Sequence, residues 1–217
     1  SESLLEDGLQ VRTTLDPAVQ GAAEQALREG LVALDRRRGW RGPTRHLAEL
    51  EPDERMLDSW ANAEGVDGAW FEGLVVAVDR GGVTVRVGDT THDLTAAGVE
   101  WTRRGRPGGL FEPGDVALFS LGPVEDDGEN VLRLEQEPEV EGAVVVIESA
   151  TGAVRGLVGG WNFRRSEFNR VTQAHRQVGS TFKPMVFGAA LEMGFTPADT
   201  IFDAPVVFPG TDAAVLD

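Results

Sequence analysis

The chain has 217 residues, a hydrophobic share of 41% and a net charge of −16, enough length and apolar content for one large domain or two smaller ones. The acidic balance excludes a nucleic-acid binder, because neutralising phosphates takes a basic surface, and it reads as a solvated acidic exterior. There is no cysteine, which excludes disulfides and thiolate metal sites, and His46, His92 and His175 are scattered, so neither a metal nor another cofactor is expected. No apolar run approaches the ~20 residues of a membrane helix, and no secretory signal is visible.

Leu9 to Leu15 alternates weakly and predicts a short strand. Asp16-Pro17 then opens a helix, with aspartate as N-cap and proline at the first helical position. Ala22, Ala23, Ala26, Leu27 and Leu31 follow at helical spacing. The helix fades at Arg36-Arg37-Arg38-Gly39, where the dipole favours positive charge. A second helical stretch, Arg45 to Ala63, is bounded by Pro43 and Gly65. Residues 1–66 are expected to form one linking segment.

From Trp70 the period changes. Phe71 to Asp79, Val83 to Val87, Thr90 to Leu94, Val116 to Leu121 and Val131 to Leu134 read as five short strands. Turns of matching chemistry separate them, among them Asp79-Arg80-Gly81-Gly82, Gly88-Asp89 and Asp126-Asp127-Gly128. Residues 67–137 are therefore expected to form a small antiparallel five-stranded barrel, with the OB-fold as first choice. Between the third and fourth strands lies Trp101 with Arg103, Arg104 and Arg106, a set that can stack on bases or sugars. The acidic background favours the plainer reading, a packed tryptophan beside solvated arginines.

A glutamate-rich connector, Glu135 to Glu141, marks a boundary, and residues 138–217 form the last segment. Gly142 to Glu148 reads as a buried-type strand, turned by Ser149-Ala150-Thr151-Gly152 into a second, Ala153 to Val158. An irregular stretch follows Gly159-Gly160 as far as Val178, and a helix is expected from Ser180 to Met193, capped by Gly194.

That helix carries the chain's chemistry. Lys183 is the only lysine in the sequence, and it stands three residues after Ser180. Pro184 has to sit early in the helix, where a missing N–H does no harm, so Ser180 is expected at its very start. Residues three apart share a helix face, and the positive end of the dipole would face an oxyanion forming at the serine. A serine hydroxyl becomes a useful nucleophile once a base removes its proton, and nearby cations favour the neutral, basic form of a lysine. Between Trp161 and Lys183 the sequence carries a net of four positive charges, an island in an acidic protein that would also attract an anionic substrate. Asn169 and Arg170 are expected to brace the loop beneath this helix rather than react.

The residues around the pair carry a resemblance. Phe163, then Ser166-Glu167-Phe168-Asn169-Arg170, then Ala174 to Pro184, resemble the first active-site motif of class A penicillin-binding proteins of the 1A type. Thr13-Thr14-Leu15-Asp16 with Gln20 is similar to the strand and helix entering that family's transpeptidase region. Pro138 to Ala143 and Gly152 to Gly160 resemble its first two strands, and the five-strand segment falls where the family carries an OB-like insertion. The resemblance implies an α+β chain: an OB-like barrel set into or before an incomplete serine transpeptidase domain.

It also implies that Ser180 is the nucleophile and Lys183 the general base of a peptidoglycan D,D-transpeptidase. Stem peptides and β-lactams would be its ligands. The full-length protein would add a membrane anchor and a glycosyltransferase domain on the periplasmic side of the inner membrane. The family's Ser-x-Asn and Lys-Thr-Gly elements are absent, the second necessarily, since the one lysine is already used. The chain is accordingly expected to be an inactive internal fragment. The alternative is a non-catalytic module whose barrel docks an envelope partner. A class A β-lactamase shares Ser-x-x-Lys but lacks the inserted barrel, and its deacylating glutamate motif is missing here.

Overall fold

The structure, a computed structural model, describes residues 11–48, 63–64, 69–79, 82–123 and 130–202. The chain divides into two compact units, residues 1–174 and 175–217.

The first unit opens with α1, Pro17–Arg38. Asp16 is extended, and its carboxylate accepts the N–H groups of Ala18 (2.9 Å) and Val19 (3.3 Å), two donors that have no helical partner. Gly39 ends the helix at φ 96°, a conformation that favours glycine. Ala23, Leu27, Leu31 and Val32 are buried along one stripe, while Ala22 and Ala26 are exposed.

Among the described residues, seven strands make one antiparallel sheet: β1 Arg45–His46, β2 Ala63–Glu64, β3 Ala69–Val78, β4 Val83–Val87, β5 Thr90–Leu94, β6 Asp115–Pro123 and β7 Asn130–Glu135. β3 pairs with β4 (Val75 opposite Val85) and with β6 (Gly73 opposite Ala117). β4 continues to β5 and β6 to β7. The first of the five long strands thus pairs with the second and fourth, the connectivity of a partly open OB-like barrel. Val85, Leu94, Phe119 and Leu134 are fully enclosed inside it, and each such side chain contributes about 1.5–3 kcal/mol. Gly73 is required here, because a Cβ would come within 2.6 Å of Val85 and 2.9 Å of Phe119.

All five expected strands form. The expected helix from Arg45 to Ala63 is corrected at both ends. Arg45 and His46 pair with Val116 and Asp115 of β6, and Ala63 pairs with Trp70 of β3. Most of the interval between them lies outside the described residues. At those two ends a helix would have forfeited ladders with strands that come later in the sequence.

β8 Val144–Ile147 and β9 Val154–Val158 form an antiparallel hairpin under α1. Gln20 docks the helix on it: the Leu157 N–H donates to Gln20 Oε1 (2.8 Å), and Gln20 Nε2 donates to the Leu157 carbonyl (3.2 Å). The side-chain amide takes the place of a neighbouring strand's backbone. β8 was expected to be fully buried, but Val145 and Ile147 are 42% and 55% exposed, since among the described residues α1 covers only one face. The expected strand before α1 is also corrected over residues 11–15; Leu9 and Gln10 lie outside the described residues. There the chain runs beside β9 without a ladder. The Thr14 hydroxyl donates to Val154 O (2.7 Å), Arg155 donates to Thr14 O (3.1 Å), and Asp16 N–H donates to Arg155 O (2.9 Å).

Asp35, 1% exposed, joins α1 to the segments that lead into and out of the barrel. It accepts from Arg41 (2.6 Å) and Gln136 (2.7 Å) through one oxygen and from the Glu139 N–H (3.2 Å) through the other. A buried carboxylate persists only with its lone pairs satisfied in this way.

Candidate active site

β9 runs out into Gly159-Gly160 and a loop that folds back on them. A Cβ on Gly159 would lie 2.6 Å from Asn169 Oδ1, and one on Gly160 would lie 2.8 Å from an Arg170 guanidinium nitrogen. The Arg170 N–H donates to Gly159 O at 3.0 Å. Asn169 Oδ1 accepts from the Val171 N–H (3.0 Å), and the Asn169 N–H donates to Gln173 Oε1 (2.6 Å). Asn169 and Arg170 therefore hold this loop against the glycine pair.

Glu141 anchors the same loop. It accepts the Trp161 N–H (3.0 Å), is hydrogen-bonded and ion-paired to Arg165, and lies 3.4 Å from Arg170. Partial burial works against its charge, but the Arg165 hydrogen bonds, the Trp161 N–H and the charges of Arg165 and Arg170 outweigh it. They hold the carboxyl below the usual glutamate range. Trp161 is buried, its ring centroid 6.0 Å from that of Trp70, and its indole N–H donates to Glu137 (3.1 Å). These contacts offset part of the expected positive island: Arg165 and Arg170 are matched by Glu137 and Glu141, which belong to the connector on the far side of the β8–β9 hairpin. A cleft of about 490 Å³ lies beside this loop, lined by Gln20, Arg28, Leu157, Asn162, Phe163 and Asn169 among others.

In the second unit, Gly179 takes φ 52° and leads into a 3-10 turn, Gly179–Phe182, that carries Ser180. α2, Lys183–Glu192, follows directly. The Lys183 N–H donates to the Ser180 carbonyl. The expected single helix starting at Ser180 is thereby corrected to a tight turn followed by an α-helix. Both side chains are exposed, and among the described residues neither the hydroxyl nor the ammonium has a hydrogen-bond partner. α2 closes in a Schellman arrangement: Gly194, φ 92°, donates to Leu191 O (3.0 Å) and Phe195 donates to Ala190 O (3.0 Å).

Residues 40–140 match the family described as penicillin-binding protein OB-like domain, and residues 142–215 match the penicillin-binding protein transpeptidase domain. The chain belongs to the penicillin-binding protein family. Among its relatives, penicillin-binding protein 1A of Pseudomonas aeruginosa is 35% identical over 212 residues, covering 93% of this chain and 25% of that protein. Penicillin-binding protein 1A of Escherichia coli is also 35% identical, over 94% of this chain and 25% of its own length. The crystal structure of penicillin-binding protein 1A from Haemophilus influenzae superimposes with a TM-score of 0.72 at 28% identity, covering 92% of this chain and 29% of that one. The chain thus spans about a quarter of the length of these relatives.

The expected resemblance and the expected combination of OB-like barrel and transpeptidase residues both hold. The packed reading of Trp101 holds as well: its indole N–H donates to Leu134 O (2.8 Å) and its ring meets Trp40 edge-on at 6.1 Å, while Arg103, Arg104 and Arg106 are exposed. The sequence reading missed the roles of Gln20 and Glu141. Both stand in segments that carried the resemblance, yet their partners lie far along the chain, and no local pattern names them. No helix among the described residues is long and apolar enough to cross a membrane.

Proposed function

We propose that this chain carries the nucleophile segment of a peptidoglycan D,D-transpeptidase. Ser180 Oγ attacks the carbonyl joining the two terminal D-alanines of a stem peptide, and the Lys183 amine acts as the general base that takes the hydroxyl proton. The terminal D-alanine leaves with a proton on its amine, and the remaining acyl group stays on Ser180 as an ester. An amine of a second stem peptide then attacks the ester, forming the cross-link and returning the proton to Ser180. A β-lactam enters the same step and leaves a ring-opened ester on the serine.

The observation that carries this reading is the 3-10 turn joining the two residues, with the Lys183 N–H on the Ser180 carbonyl. Residues three apart in such a turn are eclipsed, so the two side chains start from the same face of it. The transpeptidase match over residues 142–215 supports it. The whole protein is proposed to act on the periplasmic side of the inner membrane of a bacterium, with an anchor and a glycosyltransferase domain outside this chain. Residues 1–66, 67–137 and 138–217 are proposed as linking segment, barrel insertion and transpeptidase portion. The isolated 217 residues are proposed to be acylated poorly or not at all, since the Ser-x-Asn and Lys-Thr-Gly elements are not in them.

The test is the intact mass of the protein, extended through those two elements, after benzylpenicillin treatment. One added drug mass on the parent and none on Ser180→Ala is expected. No adduct on a folded parent would remove the reading. A stoichiometric adduct on residues 1–217 alone would remove the claim of inactivity. A second reading, that the barrel docks an envelope protein, is favoured by the arginines it exposes at Arg103, Arg104 and Arg106. Retention of a partner by the barrel-bearing protein, lost when those arginines are reversed in charge, is the result expected.

A further inference from the structure

The geometry points to Pro184 as a positioning residue for acyl transfer at Ser180, acting through the turn that carries Lys183. The inference rests on the assignment of Ser180 and Lys183 as nucleophile and base. In an α-helix the Ser180 carbonyl would accept the N–H of residue 184, four positions on. Residue 184 is proline. It has no N–H to give, and its ring would press on that same carbonyl. The chain resolves the conflict by passing the Ser180 carbonyl to the nearer donor, the Lys183 N–H. Gly179–Phe182 therefore winds as a 3-10 turn, and the α-helix begins only at Lys183.

The change of winding matters for the pair. Three steps of a 3-10 turn complete one revolution, so side chains three apart stand above one another. Three steps of an α-helix turn through only about 300°, which would swing the lysine stem about 60° around the axis from the serine. No other side chain among the described residues holds either group, so the backbone turn alone sets where the lysine stem starts relative to Ser180 Oγ. Pro184 touches no substrate in this account. It decides which donor the Ser180 carbonyl receives, and through that the direction from which a base can approach the hydroxyl.

The experiment uses the full-length protein and a fluorescent penicillin, with stopped-flow kinetics separating the dissociation constant of the initial complex from the acylation rate constant. In Pro184→Ala the carbonyl can take the α-helical donor. The acylation constant is expected to fall about tenfold or more, as small misplacements of reacting groups do, with the dissociation constant unchanged. The Tm should hold or rise, because alanine is the better helix former. A proline with only a structural role would instead lower Tm and the labelled fraction while leaving the rate constant of the active molecules untouched, and that result overturns the inference.

Lactic acid incorporated at position 184 supplies a second arm, since its ester lacks the N–H without adding a ring. It is expected to keep the parent's acylation constant. Loss of acylation in both variants, or in neither, overturns the inference while the Ser180 reading stands. No labelling of the parent removes the Ser180 reading and this inference with it.

Discussion

The barrel and the serine-bearing unit solve the same problem in opposite ways. Phe119, Leu134 and Val85 of the barrel are sealed from solvent by strands of the barrel itself. The second unit has no buried residue among those described, and Phe187 in α2 is 62% exposed. Helices as short as α2 are marginal in water by themselves, so its order comes from local devices: a proline in its first turn and a glycine cap at its end. A fold built on burial is robust where its core closes. A turn built on backbone hydrogen bonds is set by two or three residues.

The sharpest way to break this contrast is to truncate one aromatic in each region of the 217-residue chain. Phe119→Ala should lower the unfolding free energy by about 3–5 kcal/mol, whereas Phe187→Ala should change it by less than about 0.5 kcal/mol. Urea denaturation followed by tryptophan fluorescence reads both. Similar losses at the two positions would mean that α2 is packed as the barrel is.

Between these extremes lies the loop held by Glu141. Glu141→Gln should lower stability by about 1.5–3 kcal/mol at neutral pH, the range of hydrogen bonds to a charged partner. The folded carboxyl titrates below its ordinary value of 4.5. Its stabilisation is therefore fully present above that pH and is lost as the pH falls through the lower, folded value. The gap between parent and variant should close in acid, as acid denaturation curves would show; a gap that widened in acid would contradict the depressed titration. The smallest effect is expected at Arg103, which among the described residues is the one non-glycine with positive φ, at 59°. Arg103→Gly should raise stability by under about 1 kcal/mol, since it removes the left-handed penalty while adding chain entropy to the unfolded state. Thermal melts resolve the sign.

What could be read from the sequence follows the range of the interactions. β4 and β5 fall on their expected residues because alternation and turn glycines act within a few positions. α1 was legible from Asp16-Pro17 and Gly39 for the same reason. The helix expected after Pro43 loses its first two residues, Arg45 and His46, because their partners are Val116 and Asp115, far along the chain. The positive island is partly offset because counter-charges of Arg165 and Arg170, Glu137 and Glu141, stand before the β8–β9 hairpin, outside the window in which it was counted. Pro184 was legible as a marker of helix start. The turn it imposes becomes visible only by asking where the Ser180 carbonyl finds its donor.

Asp35 has a consequence for how such a molecule could arise and be re-engineered. Arg41, where the chain leaves α1 for the barrel, and Gln136, where it returns, meet on one carboxylate oxygen. The barrel therefore departs and re-enters at a single point, like a cassette clipped to a shared post. An insertion whose ends already touch asks little of its host, because closing a longer loop adds only slowly to the entropy of folding.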